Sequence, residues 1–195
     1  MAHNPSGDTV TESATSRLRA EHQLILQVAD ALETLIGRSV SGDTDFEALA
    51  DCIAFIRLFA DACHHGKEED LLFPALEARG MPHDQGPIAV MLFEHQQGRA
   101  FAKAMAAAID EARAGDEEAL TKLRSAATGY VHLIRGHINK EDHVLFEMAD
   151  QAVQGPACQR LCDEYGLVCQ RVFEGRTKEE LEELAANLKE RTVGR

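Results

Sequence analysis

Apolar residues recur every three to four positions over long stretches of this chain, which is the period of an amphipathic α-helix. Four long stretches and two shorter ones cover about 16–36, 44–77, 87–114, 116–150, 157–173 and 177–192. Alternating runs rich in Val, Ile and Thr, which β-strands favour, do not occur along the sequence. The pattern therefore predicts an all-α protein.

The ends of these stretches carry helix start signals, and the connections between them are short. Thr44-x-x-Glu47 and Thr177-x-x-Glu180 have the form of a capping box, whereas Pro74 is expected to bend or shorten the end of the second stretch. Long helices joined by short loops pack as antiparallel neighbours. We therefore expect an up-down-up-down four-helix bundle followed by a short C-terminal helical appendage.

The same elements divide the chain into three parts. Residues 1–15 are polar and carry no apolar signal core, so they are predicted to form a disordered N-terminal tail. The four-helix bundle occupies 16–152, and a C-terminal helical extension occupies 153–195. A chain of 195 residues suits one domain with an appendage of this kind.

Two segments of the chain are repeated with the same offset of 73 residues. Glu-His-Gln occurs at 21–23 and again at 94–96, while HHGKEEDLLF at 64–73 is matched by HINKEDHVLF at 137–146. The offset aligns the first two predicted helices with the next two. We therefore expect two similar helical hairpins related by an approximate two-fold axis, which suggests an old duplication.

The repeated polar residues fall within the apolar stripe of each helix rather than on its polar face. They are His22, His64, Glu68, His95, His137 and Glu141. In each His-x-x-x-Glu pair, four residues advance the helix by about 400°, so both side chains share one face. Apolar neighbours that include Ile25, Leu71, Leu133 and Val144 are expected to keep water away from them.

Burying four imidazoles and two carboxylates costs free energy unless each is paired or bound to a metal. Imidazole and carboxylate together suit iron, manganese or zinc, and the set contains no thiolate for a softer metal. Two carboxylates on diagonal helices could bridge two ions and leave positions open for small molecules. Satisfied core histidines are the alternative, but repetition at identical spacing in both halves favours the metal interpretation.

These motifs resemble the hemerythrin-like, HHE cation-binding family over about residues 16–150. The resemblance implies a non-haem centre of two iron ions, oxo- and carboxylate-bridged, for which manganese or zinc could substitute. The ligands that it implies are His22, His64, Glu68, His95, His137 and Glu141. His65-x-x-x-Glu69 has the same form as His64-x-x-x-Glu68, but aligning Phe73 with Phe146 selects the latter. His65 and Glu69 are then expected beside the ligands or facing solvent.

The function implied by the resemblance is reaction of the di-iron centre with a small oxidant, O₂, peroxide or NO, by ferrous/ferric cycling. The expected partners are a diatomic or peroxide ligand and an electron donor that the sequence does not identify. One alternative is an iron-binding module that senses, stores or donates iron without turnover. Another is a helical adaptor whose polar core is purely structural.

Two further residues bear on the reactivity of such a centre. Tyr130 shares a helix face with His137, so its hydroxyl is a candidate catalytic group, although a core tyrosine with a bonded hydroxyl is also compatible. Arg99 occupies the position where oxygen carriers of the family have a further histidine, four residues after His95. Arginine has no lone pair to donate. We therefore expect an extra open position, and prompt oxidation instead of reversible oxygen storage.

The five cysteines admit two interpretations. Cys158, Cys162 and Cys169 share one face of the fifth predicted helix, and Cys52 and Cys63 have an eleven-residue spacing on the second. Cysteine commonly behaves as a small buried hydrophobe, so packing is one interpretation. A thiol pair that responds to oxidants is the other.

Composition restricts the partners and the location. The formal net charge is −13 with no cluster of Lys or Arg, so nucleic acid and anionic membranes are poor partners. No apolar run approaches the roughly 20 residues of a transmembrane helix. An odd number of cysteines fits reduced thiols better than a disulfide framework. A cytoplasmic location is therefore expected.

Overall fold

The computed structural model describes residues 12–193, and this part of the chain folds into six helices. They are α1 (Ser16–Val40), α2 (46–77), α3 (Gly86–Arg113), α4 (117–152), α5 (Pro156–Cys169) and α6 (Lys178–Val193). Between residues 12 and 193 the only β pairing is an isolated bridge between Phe173 and Arg176. None of the helices in this range is long and apolar enough to cross a membrane. The predicted all-α class is confirmed.

The four long helices form the predicted bundle. Each packs against the next in chain order, and α4 closes the bundle by packing against α1. We refer to α1 with α2 as the first hairpin and to α3 with α4 as the second hairpin. Helix α6 packs on α1 and α2, and α5 packs on the 68–72 part of α2. The C-terminal helices therefore cover the first hairpin.

Two of the helix starts can be compared with the predicted capping boxes. The box before α6 forms as expected, because the Thr177 N–H donates to the Glu180 carboxylate at 2.7 Å and the Glu180 N–H donates to the Thr177 hydroxyl at 3.3 Å. Before α2, however, the prediction of Thr44 as the cap was wrong. Asp45 takes this position, and its carboxylate accepts from the Ala48 N–H at 3.0 Å. Aspartate is a strong N-cap residue in its own right.

The helices that carry the His-x-x-x-Glu motifs contain turns wider than those of an α-helix. In α2 these turns span Ile56–His65 and Glu68–Leu72, and in α4 they span Glu141–Leu145. At their ends the Phe73 N–H donates to the Glu68 carbonyl and the Phe146 N–H to the Glu141 carbonyl, five residues back. The second and third of these turns are related by the repeat offset, so the backbone irregularity is repeated together with the sequence.

The wide turns change which residues face the core. Extrapolation of the 3.6-residue period predicted that Leu71 and Val144 point inward. Instead, Leu72 and Leu145 are buried, whereas Leu71 is half-buried and Val144 is 49% exposed. Each wide turn takes up more residues than an α-helical turn, so the inward position moves one residue along the chain.

The polar centre of the bundle lies between two apolar clusters. On one side are the large side chains of Leu32, Phe55, Phe59, Met105 and Leu123, joined by Leu181 and Leu188 of α6. On the other side are Leu18, Phe73, Ile88 and Phe146, joined by Leu161 and Tyr165 of α5. Burial on both sides fixes the depth of the polar layer and isolates it from bulk water.

The residues before α1 are tied to the end of α4. Ala14 and Thr15 are buried, and the Thr15 N–H and hydroxyl donate to the Asp150 carboxylate at 3.1 and 2.8 Å. Of the disordered tail predicted for 1–15, residues 1–11 lie outside the described part of the chain. The remainder is anchored to the bundle at its C-terminal end.

Candidate metal centre

Six buried side chains, those predicted as metal ligands, meet in the middle of the bundle. They are His22 of α1, His64 and Glu68 of α2, His95 of α3, and His137 and Glu141 of α4, none more than 2% exposed. Among residues 12–193, the Nε2 atoms of the four imidazoles and all four carboxylate oxygens have no hydrogen-bond partner. A buried polar atom left unpaired costs about 1–3 kcal/mol. Donors in this state fit metal ions, which would engage all of them together.

Each carboxylate lies between an imidazole of its own helix and an imidazole of the other hairpin. The oxygen–Nε2 distances from Glu68 to His64 and His95, and from Glu141 to His22 and His137, are 3.4, 3.4, 3.2 and 3.1 Å. Neighbouring ligands about 2 Å from one ion are separated by about this distance. The carboxylates therefore stand where bridging ligands would.

The donor atoms form two groups, each of a size that could enclose one ion. One group contains His22, His64, Glu68 and Glu141, and the other contains His65, Glu68, His95 and His137. Within each group the donor atoms lie within 4.8 Å of one another. Glu68 belongs to both groups, so its carboxylate would link two ions.

His65 was expected either beside the ligands or facing solvent, and it lies beside the ligands. Its side chain is 5% exposed and its ring stacks on His95 with centroids 3.8 Å apart. Burial lowers its pKa well below the usual value, so the ring is neutral and retains a lone pair. Neither ring nitrogen has a hydrogen-bond partner within the described residues. His65 is thus a fifth imidazole in the centre.

The sequence repeat could not reveal His65, because its counterpart at the repeat offset is Ile138. Successive side chains of an α-helix are 100° apart, so adjacent residues rarely face the same site. The wide turn over Ile56–His65 reduces that angle and brings His64 and His65 to the same centre. The adjacent pair of histidines was the one feature of the sequence that could have indicated it.

Every predicted histidine ligand is oriented by a carboxylate on a neighbouring helix. The Nδ1 atoms of His22, His64, His95 and His137 lie 2.8, 2.9, 2.7 and 3.1 Å from Asp142, Glu21, Glu69 and Glu94 respectively. An Nδ1–H that donates to a carboxylate leaves the Nε2 lone pair free for a metal and fixes the ring plane. The four bonds join α1 to α2, α2 to α3, α3 to α4 and α4 to α1, which forms a closed ring around the centre.

Two lysines hold the carboxylates of this ring in place. The Lys67 ammonium donates to Glu21 at 2.5 Å, and Lys140 donates to Glu94 in the same way. These contacts explain why the glutamate of each Glu-His-Gln segment and the lysine before each predicted ligand glutamate are repeated in both halves of the chain. Spacing within single helices did not predict a role for these four residues, although they repeat at the same offset.

Without metal, the centre holds protons as ion pairs. Burial alone would lower the pKa of His22, but the hydrogen bond to Asp142 and the charge of the nearby Glu141 outweigh it and raise that pKa to about 9. For His137 the charge of Glu141 and the hydrogen bond to Glu94 outweigh burial and raise the pKa to about 10. Burial and the charge of Glu68 oppose ionisation of Glu141, but its imidazole partners lower the pKa to about 2. Metal ions must therefore displace protons to bind.

A small cavity adjoins the donor group that contains His65. His65, His95 and His137 line one side, and Tyr130 and Leu133 line the other. The space open to the centre of a water-sized molecule is about 10 Å³, which is room for about one small molecule. The Tyr130 hydroxyl is buried without a hydrogen-bond partner in the described part of the chain, as a pocket-facing group would be.

Arg99 lies at the outer side of this cavity and makes ion pairs there. Its guanidinium donates to Asp61 at 2.7 Å and to Glu69 at 2.8 Å. Since Glu69 also accepts from His95, Arg99 supports the orientation of that ligand from outside. Arg99 stands where oxygen carriers of the family have a further histidine. It therefore orients a predicted ligand and is not a ligand itself.

A four-helix bundle that encloses imidazoles and carboxylates in two ion-sized groups has the architecture of a metal-binding protein. Comparison with protein families agrees: the hemerythrin HHE cation-binding domain matches residues 13–149. The chain belongs to this cation-binding family, as the motifs predicted.

Relatives among curated proteins include uncharacterized proteins from Mycobacterium bovis and Mycobacterium tuberculosis. Each is 29% identical over 138 residues, which is 70% of this chain and 53% of the relative. The chain thus spans about half the length of the curated relatives it matches. No solved structure matches it.

Proposed function

We propose that the chain is a di-iron protein that reacts with a small oxidant, O₂, peroxide or NO. The observation that supports this most is the set of five buried imidazoles and two carboxylates whose inward atoms are unpaired within residues 12–193, beside a cavity for one small molecule. A bound pair of iron ions would supply cycling between the ferrous and ferric states. The chain's own residues would bind the ions, admit the oxidant and exclude bulk water.

The two donor groups would hold the two ions, with Glu68 shared between them. His22, His64 and Glu141 complete one group, and three imidazoles complete the other: His65, His95 and His137. Four donors leave open positions on an iron ion. In this assignment His65 supplies the imidazole that is absent where Arg99 stands in place of the family's further histidine. His65 therefore fills the extra open position that was expected from the sequence.

Tyr130 would position the oxidant and hold a proton for it. Tyr130 lines the same cavity as His65, His95 and His137, and its buried hydroxyl has no hydrogen-bond partner within the described residues. Burial raises the pKa of Tyr130 above its usual value, so the hydroxyl keeps its proton at neutral pH. It can then donate a hydrogen bond to an oxygen of a ligand in the cavity.

Burial of the centre bears on the alternative of an iron store or donor. Ligands that are at most 5% exposed, closed in by two apolar clusters, would exchange iron only if the bundle opened. Storage of iron does not require a cavity with an unpaired hydroxyl. Both observations favour reaction at a resident centre over release of its metal.

The test is metal analysis followed by rapid mixing. Protein reconstituted with iron should hold about two iron ions per chain, and its reduced form should be oxidised promptly by peroxide, O₂ or NO in stopped-flow spectra. The conservative Tyr130→Phe variant should keep the iron but react at least about 100-fold more slowly, in line with loss of one proton donor. Failure to take up iron would contradict the proposal, and iron that no oxidant alters would return the protein to the storage alternative.

A further inference from the structure

A buried lysine next to the metal centre contacts two thiols as well as its carboxylate. The Lys67 side chain is wholly buried, and its ammonium donates to Glu21. The same ammonium lies 3.6 Å from the sulfur of Cys63 and 3.8 Å from the sulfur of Cys169. Cys63 belongs to α2, and Cys169 is the last residue of α5. The packing of α5 on the first hairpin therefore brings two cysteines 106 positions apart to one cation.

The two thiols differ in exposure and in charge. Cys63 is wholly buried, whereas Cys169 is half-buried. The neighbouring Cys63 thiol, together with the charges of Lys67 and Lys178, outweighs burial and lowers the pKa of Cys169 to about 6. Cys169 is therefore the thiolate of the pair and the one that a reagent can reach. The thiolate is the nucleophilic form of cysteine.

We infer that Cys63 and Cys169 form a redox-active dithiol that a hydroperoxide converts to a disulfide. The Cys169 thiolate attacks the terminal peroxide oxygen and the O–O bond breaks. The products are a sulfenic acid and a hydroxide or alkoxide ion, which takes a proton from the solvent and leaves as water or an alcohol. The Cys63 sulfur then attacks the Cys169 sulfur, the S–S bond forms and the S–O bond breaks. The leaving hydroxide takes the Cys63 proton and departs as water, so two thiols are oxidised as one peroxide is reduced.

The remaining cysteines provide an internal control. Cys158 and Cys162 lie one helical turn apart on α5, but their thiols donate to the backbone carbonyls of Glu12 and Ser13. Burial is the main cause that raises the pKa of Cys162 to about 12. Cys52 is wholly buried, and burial raises its pKa as well. The surroundings of these three cysteines favour the unreactive thiol form. The reactive pair is therefore the one beside Lys67.

The dithiol is connected to the metal centre through hydrogen bonds. Lys67 binds one oxygen of Glu21, and the other oxygen binds Nδ1 of His64 at 2.9 Å. Cys63 is also the residue before His64. A disulfide at this point would fix α5 to α2 directly behind one histidine ligand. The reaction needs no iron, so it stands apart from the function proposed above.

The experiment is a peroxide titration of the full chain, both as isolated and after metal removal with a chelator. One equivalent of hydrogen peroxide should remove two of the five thiols in both samples, and mass spectrometry of a non-reducing digest should show a Cys63–Cys169 peptide. At neutral pH, iodoacetamide should alkylate Cys169 at least about ten times faster than Cys162, because of the difference in thiolate fraction.

Matched variants separate this pair from the other thiols. In Cys63→Ser, peroxide should leave a sulfenic acid on Cys169 that dimedone traps, whereas Cys158→Ser with Cys162→Ser should form the disulfide as the parent does. Circular dichroism checks that each variant is folded. Five thiols remaining after peroxide, a Cys158–Cys162 disulfide instead, or a disulfide that forms only with iron present would each overturn the inference.

Discussion

The two hairpins carry the same motif in different surroundings. Lys67 and Lys140 occupy equivalent positions and bind equivalent glutamates, yet the Lys67 side chain is 0% exposed and that of Lys140 is 43% exposed. The difference arises because α5 and α6 cover the first hairpin, while nothing in the described part of the chain covers Lys140 to the same extent. The bonds within the motif set the ligand geometry, and the covering helices decide what else the motif contacts.

A second difference lies on the inner face. His65 of the first hairpin corresponds to Ile138 of the second, so one donor group gains an imidazole and a cavity that the other group lacks. The two ions of a filled centre would therefore be chemically unequal. The repeated motif thus forms a site in which only one of the two donor groups adjoins a cavity for a ligand.

Replacement of the shared carboxylate should have the largest effect. Because Glu68 belongs to both donor groups, Glu68→Ala should leave less than about one ion per chain and lower the metal affinity by more than the 10- to 100-fold cost of an outer hydrogen-bond partner. Glu69→Ala, which removes only a partner of His95, is the control. Metal content by mass spectrometry measures both. If Glu69→Ala removed the metal while Glu68→Ala retained two ions, the assignment of the ligands would be wrong by one residue.

The unequal donor groups can be tested at a single pair of equivalent positions. His65→Ala should reduce the metal content from about two ions to about one, because it removes one of four donors from one group only. The matched change Ile138→Val should keep both ions and cost about 0.5–1.5 kcal/mol of stability. A His65→Ala protein that retains two tightly bound ions would assign His65 to the cavity alone.

The covering of the first hairpin should appear as a difference in stability between two lysine variants. Lys67→Met removes the nearer of the two ammonium groups beside the buried Glu21 carboxylate, the other being that of Lys178 at 3.8 Å, and should lower the free energy of unfolding by up to about 3–5 kcal/mol. Lys140→Met removes a lysine that is 43% exposed and should cost at most about 1 kcal/mol. Urea denaturation of the metal-free proteins provides both values. Equal losses would show that burial under α5 and α6 has no energetic consequence.

Both hairpins share a pH dependence of stability. In the metal-free protein, the pKa of His22 rises from 6.5 to about 9 and that of His137 from 6.5 to about 10. Their stabilisation is complete below pH 6.5 and is lost as the pH rises through those values. The pKa of Glu141 falls from 4.5 to about 2, so its contribution is present above pH 4.5 and lost as the pH falls to about 2. The urea midpoint should therefore be highest between pH 4.5 and 6.5.

Metal binding should release the same protons. Calorimetric titration at pH 7 in two buffers of different ionisation enthalpy should show proton release on metal uptake. A urea midpoint of the metal-free protein that stays constant from pH 5 to about 9, together with metal uptake without proton release, would contradict the ion-paired centre.

Much of the fold could be predicted because each helix repeats its own period, and the meeting of six polar side chains in the core could be predicted because the repeat fixed their register. Features that depend on a second helix could not be obtained in this way. The bond from Asp142 to His22 joins α4 to α1, and spacing within one helix does not show which partner lies opposite. His65 and Val144 were misplaced for a different reason: the period itself changes at the wide turns.

The closed ring of carboxylate–imidazole bonds has a consequence for the origin of the chain. Each hairpin makes one of the four bonds internally, Glu21 to His64 or Glu94 to His137, and exchanges two more with its neighbour. The exchanged bonds are equivalent, because Glu69 and Asp142 stand at the same offset as the histidines they bind. A single hairpin paired with an identical copy would therefore close the same ring. The ring thus has the symmetry of a homodimer of one hairpin, and the loop at 78–85 connects the two equivalent halves.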